Sequence, residues 1–411
     1  MINRKNIIVN GFMLLALLCM LQAKAQVTIG LSETPNMGAL LDLKEYNDLT
    51  AKKGGRTANK GLILPRVKLT QKNGLSDLNI LPNEFLVHTG LTVYNMGQCL
   101  DYGMSDSRGV YVWDGQEWNK LSRYTQSLDV FVYNDTRDGE QYLYRTFGDA
   151  GTWMLENMRA IKYEQGGSDP VLGLVTNNDS DIYVKKYIYP TDNLTGDGTD
   201  PSYFNKLKAI GLLYNWGAAT NNENRPEIDG NPESQGQVAG DVPGAGEVES
   251  VMPNGYVQGI CPNGWHVPSD REWNKLEKEL TINATKYSTS VNGVWNPEWE
   301  TLDNAWRGDV LGEVIKTPCL PPGIFGSEAV GKSLPASRGG FNLYVTGYFH
   351  SQNHIITDYG NRALYRSSSS GGIDQTRRTA YHRSLAKGDK STIRTNGLRN
   401  NMTSVRCKKN N

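Results

Sequence analysis

Apolar and polar residues alternate most regularly in segment 261–280, CPNGWHVPSDREWNKLEKEL. Ser269 and Glu272, three residues apart, form a capping box, which predicts that a helix begins directly after the serine. The apolar residues that follow recur at helical spacing and predict one buried stripe, made of Trp273, Leu276 and Leu280. Before the cap, Trp265 and Val267 point to one side of a short strand that a proline ends. The segment therefore predicts a turn, a strand and a capped helix in close succession.

The other elements of residues 129–411 carry weaker versions of both periodicities. Strands are predicted at Val130–Tyr133, Gln141–Thr146 and Ile182–Tyr189. Helices are predicted at Leu212–Thr220, Asp270–Leu280 and Asp303–Leu311. Short strands joined by loops rich in Ser, Gly and Asn are predicted at Phe341–Phe349, Ala363–Ser367, Ala380–Leu385 and Ser404–Lys408. Helices early and strands late, without strand–helix alternation, predict an α+β fold.

The first 25 residues have the pattern of a signal peptide. Arg4 and Lys5 precede an apolar run from Gly11 to Leu21, and a small-residue cleavage site ends at Ala25. The run is short for a retained membrane helix, and the residues before Cys19 make a poor lipoprotein signal. We therefore expect export, with the mature chain extracellular or on the outer cell surface.

Charge and composition narrow the classes of partner. The chain has 43 basic and 43 acidic residues, and the leader removes three basic ones, so the mature chain is close to neutral. A nucleic-acid-binding protein normally needs a clustered basic face, so that class is not expected. With 38% hydrophobic and 9% aromatic residues, the chain has enough apolar surface to fold into a globular protein.

Four separated motifs resemble the Fibrobacter succinogenes major paralogous domain family, and the resemblance covers residues 129–411. One is the segment 261–280, and the other three are DGEQYLYRTFGDAGTWMLENMR at 138–159, GLLYNWGAAT at 211–220 and the closing segment 379–409 with its Ser-Val-Arg-Cys strand. The resemblance implies a fold similar to formylglycine-generating enzymes, within the C-type lectin-like group. It implies no particular biochemical activity.

Residues 26–125 are predicted to form a separate β-rich N-terminal module. Gly90–Asn95 and Gly109–Leu121 are strand signals, and Asp114-Gly115 marks a hairpin turn inside the second. The module resembles N-terminal modules of exported bacterial proteins and the collar regions of trimeric tail fibres. A homo-oligomer formed through this module is therefore one expectation, although no heptad repeat accompanies it.

The mature chain has four cysteines: Cys99, Cys261, Cys319 and Cys407. An even count in an exported chain favours disulfides, with three connectivities open. The family resemblance implies a disulfide between Cys261 and Cys407, because the family keeps the turn before the helix together with the closing strand. That choice leaves Cys99 with Cys319, a pair that would cross from one predicted domain to the other.

Several segments match enzyme or metal-binding motifs in sequence, but the residues around them do not fit those functions. Formylglycine-generating enzymes use two closely placed cysteines, whereas Cys407 has no such neighbour. The segment 326–333, GSEAVGKS, matches a phosphate-binding loop, but prolines stand on both sides of it. Two groups have suitable ligands for divalent ions, yet solvated loops are favoured for both: Asp192, Asp197 and Asp200, and His350, His354 and Asp358. We therefore expect no enzyme, no metal and no cofactor.

Aromatic and amide side chains on loops are the remaining candidates for function. Tryptophans of the family motifs are assigned to the core, namely Trp216, Trp265 and Trp273. The loop residues assigned to ligand binding are Trp295, Trp299, Tyr348 and Asn353, supported by loops 347–358 and 367–377. Indole rings stack on sugar faces and amides bond to hydroxyls. We expect non-catalytic binding of a surface glycan or protein, with a structural appendage subunit or a degenerate enzyme as alternatives.

Overall fold

A computed structural model describes residues 27–29, 41–45, 58, 60–121, 126–175, 183–191, 198–200, 210–223, 255–300, 302, 304–324, 331–374 and 377–411. The chain divides into two compact units, residues 1–64 and 65–411. In the first unit, strands β1 (Val27–Ile29) and β2 (Leu41–Leu43) pair in parallel. The predicted signal peptide lies outside the described residues.

The second unit begins with a four-stranded sheet of order β3-β4-β5-β6. Its strands are β3 (Arg66–Val67), β4 (Thr92–Asn95), β5 (Gly109–Trp113) and β6 (Trp118–Lys120). The hairpin predicted around Asp114 is confirmed, since β5 and β6 are antiparallel. The Asp114 carboxylate accepts the backbone N–H groups of Gln116 and Glu117, both at 2.8 Å, and so closes the turn.

The five-stranded sheet joins the beginning of the family region to its end. Its strands are β7 (Phe131–Asn134), β8 (Gln141–Thr146), β9 (Thr152–Met154), β13 (Trp265–His266) and β21 (Lys408–Lys409). They run in the order β13-β21-β9-β8-β7, so the last residues of the chain lie between two earlier strands. The strands predicted near 130 and at 141–146 are thereby confirmed.

The ten-stranded sheet forms the body of the unit. Its strands are β10 (Val171–Leu172), β11 (Lys186–Ile188), β12 (Leu213–Tyr214), β14 (Ala305–Arg307), β15 (Thr346–His350), β16 (Ile355–Tyr359), β17 (Arg362–Asp374), β18 (Arg377–Ala386), β19 (Thr392–Leu398) and β20 (Thr403–Ser404). The main path is β10-β11-β12-β20-β17-β18-β19-β14, and β15, paired with β16, joins it at β17. The result is a β-rich mixed fold with few helices.

The described helices are short except for one. They are α1 (Trp216–Thr220), α2 (Asp270–Ile282), α3 (Ala284–Tyr287) and α4 (Leu311–Ile315). The capping box is confirmed, because Glu272 accepts the Ser269 N–H at 2.9 Å and donates its own N–H to the Ser269 hydroxyl at 3.3 Å. The predicted stripe on α2 is fully buried, and it packs with Trp153 and Phe341 in one core.

Five predicted segments were wrong in type or extent. Segment 303–311 is not one helix, because strand β14 occupies 305–307 and α4 starts only at 311. Segment 212–220 begins as strand β12, and the helix starts after Asn215, whose side chain accepts the Ala218 N–H at 3.1 Å. The closing strand predicted at 404–408 is divided between β20 and β21, which belong to different sheets. The predicted loop at 367–377 lies largely within β17, and the predicted loop at 347–358 lies largely within β15 and β16.

Candidate functional site

A buried cluster of charges fixes helix α2 to strands β18 and β19. Arg383 on β18 is fully buried and donates from Nε to a Glu277 carboxylate oxygen at 2.9 Å, besides pairing with Asp270. Arg394 on β19 reaches the same Asp270 carboxylate at 2.7 Å. Burial alone would raise the pKa of Asp270, but these two guanidinium groups outweigh it and hold that pKa below its usual value.

A third arginine extends the cluster toward a loop. Arg307 on β14 is buried, and its Nη1 lies 3.4 Å from a Glu277 carboxylate oxygen. Burial lowers the pKa of Arg307 to about 10. The guanidinium carbon lies 5.7 Å from the centre of the Trp295 ring, within reach of a cation–π contact. Charge in the core therefore supports the loop that carries Trp295 and Trp299.

We call residues 291–300 the tryptophan loop. Trp295 is only 9% exposed, and its ring meets that of Trp299 edge to face at 5.4 Å. The Trp295 indole N–H donates to Glu300 at 3.1 Å. A short 3-10 helix at Pro297–Glu300 carries Trp299, which is half-buried. Trp295 is therefore a support, and Trp299 is the ring of this pair that reaches solvent.

Trp306 lies close in sequence but on the other face of β14. Adjacent strand residues point to opposite faces, and Arg307 faces the core and Trp295. Trp306 itself is 50% exposed and pairs in register with Ile393 of β19. The three tryptophans that crowd this part of the sequence therefore do not form one platform.

Tyr348 and Asn353 occupy a different region, the β15–β16 hairpin. Tyr348 is half-buried on β15, and burial raises its pKa, with Asp358 adding to the effect. Asn353 is exposed in the turn, where its N–H donates to the His350 carbonyl at 3.2 Å. Three strands, β17, β18 and β19, lie between this hairpin and β14, and four strand spacings amount to roughly 19 Å. The four residues assigned to ligand binding therefore form two separate places.

The four cysteines among the described residues form two disulfides. Cys261 is joined to Cys407, the pairing that the family resemblance implies, with Cα atoms 5.8 Å apart. Cys99 is joined to Cys319, with Cα atoms 5.4 Å apart, so the four-stranded sheet is linked covalently to the family region. A cleft of about 380 Å³ lies beside this second disulfide, between Lys68 and the loop at Pro318–Ile324.

The parts of the metal-binding and nucleotide-binding sequence patterns that the structure describes do not support either kind of site. His350, His354 and Asp358 lie on the β15–β16 hairpin, not on a helix. No group of three His, Cys, Asp or Glu side chains arranged for a metal occurs in the described part of the chain. Asp192 and Asp197 lie outside the described residues, as does most of the 326–333 segment. Among the described helices, none has the length and apolar character needed to cross a bilayer.

The fold and site describe a disulfide-linked, β-rich domain with a charged core and an aromatic loop on its surface. Residues 148–409, more than half of the chain, match the Fibrobacter succinogenes major domain, and the protein belongs to this family. Residues 28–155 are similar to the phage tail like trimerisation region. Comparisons with curated proteins and with solved structures gave no match. The likeness to C-type lectin-like folds stays a prediction.

Proposed function

We propose that this protein is exported to the cell surface and that its family domain binds a glycan or protein ligand without catalysis. The observation that carries the proposal is the tryptophan loop, where a half-buried Trp299 ring is braced by Trp295 and the core below it. A rigid indole offers a large contact area and loses little entropy on binding. Exposed apolar side chains nearby, Val291 and Val294, enlarge the apolar surface of the loop.

Export is supported by the leader pattern of the first 25 residues and by two disulfides, which persist in oxidising compartments. A C-type lectin-like fold, as the resemblance implies, would place binding on loops held by a rigid scaffold. Tyr348 and Asn353 on the β15–β16 hairpin are a second place where a ligand could be held.

A structural subunit of a surface appendage is the second candidate. It is favoured by the similarity of residues 28–155 to a trimerisation region. In both proposed functions, the N-terminal part of the chain forms an oligomer, which we call the oligomeric base. The two functions differ in whether the family domain binds a ligand.

The test is binding of the mature chain, from Gln26 onward, to a glycan array and to envelope fractions. We expect Trp299→Ala to weaken binding by about tenfold or more, as for other aromatic anchors. Trp306→Ala is the matched control, because that exposed ring lies on the opposite face of β14. Binding that Trp299→Ala leaves unchanged would remove the tryptophan loop from the proposal. Absence of any binding by the wild type would favour the structural subunit.

A further inference from the structure

Within the described residues, the four-stranded sheet buries one face and leaves the other partly exposed. Alternate residues on one side form a core, with Val93, Tyr111, Trp113 and Trp118 all buried. The opposite side carries Arg66, Thr92 and Asn119 but also several apolar residues, and we call five of these apolar residues the outer face: Tyr94, Met96, Val110, Val112 and Leu121. When one face of an antiparallel sheet is solvated, its residues are usually polar. The outer face therefore departs from the pattern of a sheet that only meets water.

The strand register places these side chains next to one another. Tyr94 pairs with Val110, and the Leu121 N–H donates to the Val110 carbonyl at 2.9 Å, so the three form a row across β4, β5 and the end of β6. Tyr94 is 38% exposed, Met96 48% and Leu121 64%. A contiguous apolar patch of this kind marks an interaction surface on a soluble protein.

One positive charge at the margin of this patch, that of Arg108, has a carboxylate partner. Arg108, whose charge lies near Tyr94, is paired with Asp106 at 2.8 Å. Asp106 also reaches Arg338 at 3.1 Å. The charge of Arg108 is thus balanced locally, whereas Arg66, in register with Tyr94, adds a positive charge at the edge of the face.

The first compact unit, taken by itself, also exposes apolar side chains. Its parallel pair, β1 and β2, has only three residues in each strand, too few for stability alone. Apolar side chains that it leaves exposed are Ile29, Leu41, Leu43, Leu62 and Ile63. All of them, and all of the outer face, lie within the 28–155 region that is similar to a trimerisation region.

We propose that the outer face packs against the N-terminal region of further copies of this chain in a homotrimer. The proposal rests on the oligomeric base put forward above and assigns its contact surface. A sheet four strands wide and five residues long covers roughly 300 Å², against about 800 Å² per partner in a standard interface. The outer face therefore supplies only part of the interface of such a trimer.

The test is sedimentation of the mature chain at micromolar concentration, with near-ultraviolet circular dichroism as the check of folding. We expect a trimer for the wild type and a monomer for Met96→Glu/Leu121→Glu. The matched control, Val291→Glu/Val294→Glu, places the same charges on exposed apolar residues outside region 28–155 and should remain a trimer.

The outcomes separate the two proposals. A wild-type monomer would overturn the oligomeric base and this surface with it. A trimer that survives the outer-face substitutions would leave the base intact and overturn the outer face as its contact. If the double variant loses the signal of the buried Trp113 and Trp118, Tyr94→Arg decides instead, and a folded trimer there also contradicts the proposal.

Discussion

Replacing Arg383 by Met tests the role of the buried charge cluster beneath α2. Its guanidinium group is fully buried and pairs with the Asp270 carboxylate. It also donates to Glu277 at 2.9 Å, to the Asp270 carbonyl at 3.0 Å and to Asn274 at 3.1 Å. Methionine fills a similar volume without these bonds, so the substitution removes charge and hydrogen bonding and largely keeps packing.

The expected loss of unfolding free energy depends on the arginine partners that the two carboxylates retain. Asp270 retains Arg394 at 2.7 Å, and Glu277 retains Arg307 at 3.4 Å. Breaking a buried pair costs about 3–5 kcal/mol, and the remaining arginines place Arg383→Met at the lower end, about 3 kcal/mol. Arg307→Met should cost about 1 kcal/mol, because among the described residues its Nε and Nη1 have no hydrogen-bond partner and its Nη2 donates only to Asn274.

Urea unfolding of the oxidised chain at neutral pH measures these differences. Arg362→Met is the surface control, since that side chain is 46% exposed and lies 3.9 Å from Asp358, and it should cost less than about 1 kcal/mol. An Arg383→Met variant as stable as this control would refute the reasoning. If Arg307→Met is as unstable as Arg383→Met, the number of hydrogen bonds that each arginine makes does not determine how much it contributes to the free energy of unfolding.

Three further predictions concern the loop, a disulfide and pH. Trp295→Ala should cost about 3 kcal/mol or more because the ring is buried, whereas Trp299→Ala should leave the melting temperature nearly unchanged; equal melting shifts in scanning fluorimetry would contradict this. Cys319→Ser opens a disulfide across 220 residues and should cost about 5 kcal/mol by chain entropy, so calorimetry showing an unchanged transition would count against it. Burial would raise the pKa of Glu272, but His266 and other partners lower it to about 2. Its stabilisation should therefore be complete above the unfolded pKa of 4.5 and be lost as pH falls toward 2, and a Glu272→Gln deficit that persists at pH 2 would contradict the linkage.

Local patterns predicted those elements whose cause is local. The capping box and stripe of α2 and the turn at Asp114 depend on residues a few positions apart, and both are found in the structure. Strand β19 was not predicted, because its inward positions hold Thr392 and Arg394. These polar residues are buried only because α2 presents carboxylates from far away in the chain.

The candidate site was less predictable from the sequence, because it depends on contacts between residues that are far apart in the chain. Trp295, Trp299 and Trp306 are close together in the sequence, but strand β14 turns the Trp306 ring away from the other two. Residues 92–96 alternate between the two faces of the sheet, which places Tyr94 and Met96 on the same face. The sequence alone does not show which of the two faces is covered.

Binding of the mature chain to glycans printed at low and at high density tests the proposed function most directly. We expect Trp299→Ala to weaken binding at both densities, because it removes a contact with the ligand. Met96→Glu/Leu121→Glu should weaken binding only at high density, where a trimer gains from multivalent attachment. Binding curves that coincide for all three proteins at both densities would contradict a trimeric recognition protein.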